Sequence, residues 1–212
     1  MRAACRLGGL LLAGLLAGCA PANTAPPTLT LAATNCDAAP NLALAEELPL
    51  GDKNSAAKLV DLKADGPCLR DGEGRARLYT LFRLPADAAS PFTLRVSSPA
   101  QGKVVMAPKI ALLTAEGGVA REIADNALLF RGGALGAMFR LRSEDRYLLV
   151  TSDPDRVGKK FMRTATTLNS STVSAGRGVA TFYSADDQTS DFIFSHTGKL
   201  DVRVDPLASA GS

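Results

Sequence analysis

The chain reads as an all-β protein, an antiparallel β-sandwich of jelly-roll-like type with short helical segments. Two observations predict this. Apolar and polar residues alternate with a period of two in segment after segment, and each segment is bounded by Gly, Pro or Asp. A third is length, which suits one domain with a proper core. Alternation also implies sheets with one buried and one wet face.

In chain order, Leu42 to Glu47 favours a short helical turn that must end before Pro49. Lys58 to Lys63 alternates and predicts a strand. Asp65-Gly66-Pro67 and Asp71-Gly72-Glu73-Gly74 are turn-formers on either side of Cys68. From Arg77 the period-two pattern takes over. Leu78, Thr80, Phe82 and Leu84 share one face, and Phe92, Leu94 and Val96 alternate with Thr93, Arg95 and Ser97. Ile110, Leu112 and Thr114 follow Pro108, and Glu116-Gly117-Gly118 turns the chain toward Val119 and Ile123. Leu135, Ala137, Phe139 and Leu141 form the next strand. Tyr147 to Thr151 is mostly apolar and predicts a strand covered on both faces. Phe192 and Phe194, then Leu200, Val202 and Val204, give the last strands. Asp153 to Arg156 reads as a short helix, with Ser152 as its cap and Pro154 in its first turn. Thr164 to Gly178 is rich in Ser, Thr and Gly and reads as a long surface loop, either a binding element or a tolerated insertion.

Ahead of this domain, Arg2 and Arg6 precede an apolar run from Leu7 to Ala17, and small residues follow: the pattern of a secretory signal. The run is shorter than the roughly 18 residues that span a bilayer. Leu16-Ala17-Gly18-Cys19 resembles the lipobox of bacterial lipoproteins. The resemblance implies cleavage before Cys19, a lipid thioether on Cys19 and acylation of the new N-terminus. Several acyl chains hold a protein to a membrane stably. Ala20 stands where an aspartate would imply retention at the inner membrane, so the expected location is the periplasmic face of the outer membrane. The expected organisation is a signal peptide over 1–18, a lipidated cysteine and flexible Pro/Ala/Thr-rich tether over 19–34, one sandwich domain over 35–207 and a disordered tail over 208–212.

Of the four cysteines, Cys5 leaves with the signal and Cys19 takes lipid. Cys36 and Cys68 remain in an oxidising compartment, and the economical reading is a disulfide between them. Neither has a Cys or His at metal-ligand spacing.

Charge and composition exclude several function classes. Arg2 and Arg6 contribute two of the formal net charge of +3, so the mature chain is close to neutral. There is no Trp, Tyr is scarce, and no basic stripe is present, which argues against a nucleic-acid partner. His196 is the one histidine; no Gly-x-Ser-x-Gly elbow nominates a nucleophile for it, and it reads as a strand histidine facing away from Ile193. Asp186, Asp187, Gln188 and Asp191 read as a polar loop without EF-hand spacing. Arg131 to Gly136 lacks the Lys-Ser/Thr of a phosphate loop and reads as a hairpin connection. Tyr79 and Tyr147 are expected in the core, which leaves little for stacking sugars. No catalytic residue, metal or cofactor is expected.

The segments Pro91 to Ser98, Val105 to Leu113, Arg146 to Thr151 and Gly198 to Val204 resemble, in order and spacing, the maltose operon periplasmic protein family. The likeness spans roughly residues 90–204. It implies a periplasmic accessory role without assigned catalytic residues, and handling of maltodextrins as an alternative. The expected function is thus a non-enzymatic lipoprotein acting as an interaction module of the cell envelope. A carbohydrate-uptake accessory is the second reading, and a cell-wall hydrolase a more remote third.

Overall fold

The computed structural model describes residues 26–32, 35–49, 57–85, 92–176 and 178–206. Cys19, the signal and the C-terminal tail therefore lie outside the described residues. The protein is an all-β sandwich with a long ribbon attached.

The first sheet contains β1 (Glu46–Glu47), β3 (Cys68–Arg70), β4 (Ala76–Arg83), β7 (Pro108–Leu113), β8 (Val119–Glu122) and β11 (Tyr147–Ser152), in the order β1-β4-β11-β7-β8 with β3 also beside β4. The second contains β2 (Lys58–Leu62), β5 (Phe92–Pro99), β9 (Leu129–Arg131), β10 (Ala134–Arg140) and β14 (Gly198–Pro206), in the order β2-β14-β5-β10-β9. Most pairings are antiparallel; β1 runs parallel to β4.

The core lies between these sheets because the alternation puts apolar side chains there. Leu78, Phe82, Ile110, Leu112, Leu148 and Val150 of the first sheet meet Leu94, Val96, Ala137, Leu200, Val202 and Val204 of the second. Burying each such side chain contributes about 1.5–3 kcal/mol. The first sheet is covered on its other face too. Tyr79, Leu81, Ala111, Leu113 and Leu149 form a second cluster under Leu42, Ala45 and Tyr147. This accounts for the apolar run of β11, which is buried on both faces as its composition predicts. Tyr79 is buried and Tyr147 half-buried, both in that cluster.

The expected turn at Leu42 is a 3₁₀ segment, Leu42–Leu44, capped by Asn41, whose side chain accepts from the Ala43 N–H at 3.0 Å. The connection at Arg131 is a tight hairpin: Gly132 and Gly133 have φ of 57° and 81°, as a type I′ turn requires. The disulfide Cys36–Cys68 is formed. Beside it Asp37 N–H donates to the Cys68 carbonyl and Arg70 N–H to the Asp37 carbonyl, each at 2.9 Å.

Several expectations are corrected. Residues 154–158 form a hydrogen-bonded turn rather than a helix. Ser152 cannot cap it, because its hydroxyl is taken by Leu78 N–H and His196; Asp153 fills the role by accepting from Asp155 N–H at 3.0 Å. Of the expected loop from Thr164 to Gly178, the stretch Thr164 to Ala175 is strand. It belongs to β12 (Lys160–Ala175), which pairs antiparallel with β13 (Gly178–Ser195) through an unbroken register from Lys160↔Ile193 to Ala175↔Gly178. Asp186, Asp187, Gln188 and Asp191 accordingly lie on a strand, not in a loop. The expected tether is bound where it is described: Thr28 is tied to the end of β13, and Leu31 packs on the main core.

Candidate functional site

The ribbon of β12 and β13 is rooted by aromatic packing. Phe161 and Phe192 stack at 5.2 Å between ring centres, Phe161 and Phe194 at 4.8 Å, and Phe130 of β9 closes on Phe192 at 4.8 Å. Val105, Ala107 and Leu135 complete this cluster. Two guanidinium groups cover it: Arg156 sits 4.3 Å from the Phe194 ring centre and Arg163 sits 5.0 Å from that of Phe130. Backbone pairing adds to the root. β6 (Val104–Met106) runs parallel to β13 from Ile193 to Ser195, and Ala107 N–H donates to the Ser195 carbonyl at 3.0 Å.

The N-terminal segment reaches the same place. Thr28 N–H donates to Ser195 Oγ at 2.9 Å, His196 N–H to the Thr28 carbonyl at 3.0 Å, and the Thr197 hydroxyl to Thr28 Oγ1 at 2.9 Å. Thr28 lies nine residue steps beyond Cys19. Fully extended they reach about 30 Å.

His196 stands one residue beyond β13, not within a strand, and is buried. Its Nδ1 lies 2.9 Å from Ser152 Oγ, which accepts the Leu78 N–H at 3.0 Å. Burial holds the imidazole below its ordinary pKa. Ser152 is fully buried as well, so the pair joins β4, β11 and the end of β13 and presents no reactive group to solvent.

Beyond its root the ribbon packs on nothing described. From Arg163 to Ala175 it extends about 40 Å at the usual rise of about 3.3 Å per residue. Its side chains bond across the ribbon: Thr166 Oγ1 donates to Asp187 at 2.7 Å, Asn169 Nδ2 to Asp186 at 3.1 Å, and Thr172 and Thr181 hydroxyls meet at 3.3 Å. Large apolar side chains stand in water on both faces. Met162, Leu168, Val179 and Tyr183 share one face by register, and Val173 and Phe182 the other. Leu168 is 74% exposed and Tyr183 77%. Single exposed apolar residues are ordinary on a protein surface, but a concentration of them on one protruding element marks an interaction site.

Other hollows offer less. One of about 840 Å³ is lined by Arg83, Arg146, Tyr147 and Glu47, and its wall ends at Pro49 and Pro85, beside undescribed segments. Another of about 200 Å³ lies over an ion network in which Arg75 pairs with Asp71 at 2.9 Å and Asp155 at 2.6 Å. That network staples the Asp71–Gly74 turn to the turn after β11. Among the described residues no group of His, Cys, Asp or Glu could hold a metal ion.

Sequence reasoning placed the pair Cys36 and Cys68 correctly, and Cys19 lies outside the described residues. It missed the ribbon, whose signals are the four Thr of β12 and the glycines Gly176 and Gly178 at its end. No protein-family model, curated protein or solved structure matches this chain.

Proposed function

We propose that this chain is a non-enzymatic lipoprotein of the periplasmic face of the outer membrane, and that it works as an interaction module through the β12–β13 ribbon. The observation that carries the reading is the ribbon itself: a projection about 40 Å long, with exposed Met162, Leu168, Val173, Val179, Phe182 and Tyr183, fixed at its root. A two-stranded hairpin is only marginally stable in water by itself. Rigid anchorage of such an element in a body otherwise devoted to core is the arrangement of a binding arm. The engagement of buried His196 by Ser152 supports a non-enzymatic role. The strand motifs that resemble the maltose operon periplasmic protein family support a periplasmic accessory.

The test uses the full chain in its envelope, with a photo-crosslinking residue at Tyr183. Adducts with envelope components are expected in the native chain. They should be lost when Leu168 and Val179, which share the exposed face of Tyr183, are replaced by Ser. Cys19→Ser should move the protein out of the membrane fraction or leave an uncleaved precursor. Absence of adducts at Tyr183, or mature Cys19→Ser protein still in the membrane pellet, overturns the corresponding half of the reading.

A carbohydrate-binding role draws on one observation, the exposed ring of Tyr183, since aromatic rings are common platforms for sugars. It requires maltodextrins to raise the melting temperature of the native chain and not of Tyr183→Ala.

A further inference from the structure

Every sheet has edges, and in this protein the edges are treated differently. β1, β2, β8 and β9 are two to five residues long and carry Glu46 and Glu47, Lys58 and Asp61, Arg121 and Glu122, and Arg131. Short strands and charges are the usual means of keeping an edge from pairing with another chain. β12 has neither. From Thr164 to Ala175 it contains no charged residue, no Pro and no Gly, and five of its residues are β-branched: Thr164, Thr166, Thr167, Thr172 and Val173. Its register carries no bulge.

The backbone of this edge is open. At the root, Phe194 N–H donates to the Lys159 carbonyl at 3.1 Å, while Ile193 N–H turns away to the Lys103 carbonyl at 2.8 Å. The antiparallel alternation then puts the odd-numbered residues of β12 in the hydrogen-bonded pairs with β13. The N–H and C=O groups of Thr164, Thr166, Leu168, Ser170, Thr172 and Ser174 point to the open edge. β13 differs, because its free stretch holds Asp186, Asp187 and Asp191. Two-fold pairing through β13 would bring like charges together. Pairing of β12 on β13 would not close and would grow filaments.

We propose that two copies of this chain pair through β12, antiparallel about a two-fold axis, to form a four-stranded sheet in the order β13-β12-β12-β13. The proposal rests on the reading of the ribbon as the interaction element, and names its occupant. The pairing satisfies the open N–H and C=O groups of β12. It places the uncharged strands inside and the aspartates outside. It also converts a marginal two-stranded ribbon into a sheet of a size that is stable in water, in which Leu168 and Val173 sit on inner strands.

The test is sedimentation of the lipidated full chain in excess non-ionic detergent, with one protein chain per micelle as the dilute limit. The native chain should sediment as a dimer. Ser170→Pro removes one outward N–H, and proline is tolerated where the N–H faces away from the partner strand. It should keep the native melting temperature and weaken the dimer at least tenfold. Single cysteines placed in turn at positions 166 to 172 should form intermolecular disulfides most efficiently at one or two neighbouring positions, where the axis passes. A native chain that stays monomeric at all concentrations, assembles without limit, or cross-links evenly across the scan overturns the proposal. If the chain is monomeric and Leu168→Ser with Val179→Ser still abolishes the Tyr183 adducts, self-pairing falls and the ribbon remains a binding arm for other components.

Discussion

Ser152 Oγ lies 2.9 Å from His196 Nδ1, and both residues are buried where β4, β11 and the end of β13 meet. Because Ser152 accepts the Leu78 N–H, its hydroxyl proton is left for the imidazole. Given to Nδ1, that proton suits the neutral ring with its own proton on Nε2. Protonating Nδ1 removes the acceptor of that hydroxyl proton, in a site where burial already disfavours charge.

Stability should therefore depend on His196 in mild acid. Burial lowers its folded pKa below the ordinary 6.5, so below that pH the unfolded chain binds the proton more readily. The contribution is complete above 6.5 and is lost as the pH falls toward the folded value. Urea unfolding at pH 7.5 and 5.5 should show a fall in stability for the native chain. His196→Gln should be less stable at both values but flatter between them. Equal slopes for the two proteins would refute the assignment. Asp153, whose pKa burial raises, has the opposite sign and is common to both proteins, so it cancels in the comparison.

The Cys36–Cys68 bond closes a loop with a sequence separation of 32. In the chain-entropy model this is about 3–4 kcal/mol. Reduction, or Cys36→Ser with Cys68→Ser, should lower the denaturant midpoint accordingly. It should also speed amide exchange at Asp37 and Arg70, whose N–H groups are bonded beside the bridge. Peptide mapping without reductant should recover the two cysteines linked; free thiols at both positions in protein isolated without reductant would contradict the structure.

Asp145 carries the joint between the two sheets. Its carboxylate is buried, accepts the Arg142 N–H at 2.8 Å and meets Arg121 of β8 at 2.7 Å, and Arg121 also donates to the Arg140 carbonyl. Asp145→Ala strands the mostly buried Arg121 guanidinium and should cost roughly 3 kcal/mol. Asp145→Leu with Arg121→Met removes both charges and should recover much of that loss. A double variant as unstable as the single one would mean that the Arg142 N–H bond, not the ion pair, dominates.

The parts of the fold legible in the sequence are those where one physical rule acts alone. Phe92-Leu94-Val96 and Leu200-Val202-Val204 alternate because one sheet face is buried, and all but the half-buried Phe92 are fully in the core. The unbroken apolar run of β11 reflects a second cluster on its far face. The ribbon was illegible for the same reason. A strand with water on both faces needs no alternation, so Thr164 to Gly178 is rich in Ser, Thr and Gly, the composition of a loop. Asp186 and Asp187 look like turn residues until their partners, Asn169 and Thr166, are known to lie across the ribbon. Ser152 looks like a helix cap until Leu78 and His196 claim its hydroxyl. Pairings of this kind join residues far apart in sequence, which local patterns do not encode.

The ribbon and its root should separate in stability. Outside the root, residues 164–189 bury little, and their bonds are exposed Thr, Asn and Asp contacts worth a few tenths of a kcal/mol each. An excision must take both strands together. Removing only Leu168 to Ala175 would leave Gly178 to Ala185 without their register partners. Closing Arg163 to Ser190 with Asn-Gly keeps a hydrogen-bonded pair beside a two-residue turn, the geometry such a turn requires. This variant should melt within a few degrees of the native chain. Phe194→Ala instead opens the aromatic root, where Phe194 is 5% exposed, stacks on Phe161 and lies under Arg156. It should cost about 3–5 kcal/mol and loosen Ser195 and His196, to which Thr28 is bonded. Exchange of the His196 amide, held by the Thr28 carbonyl, reports that loosening directly. If excision of 164–189 lowers the melting temperature as much as Phe194→Ala does, the ribbon is part of the folding unit rather than an arm carried by it.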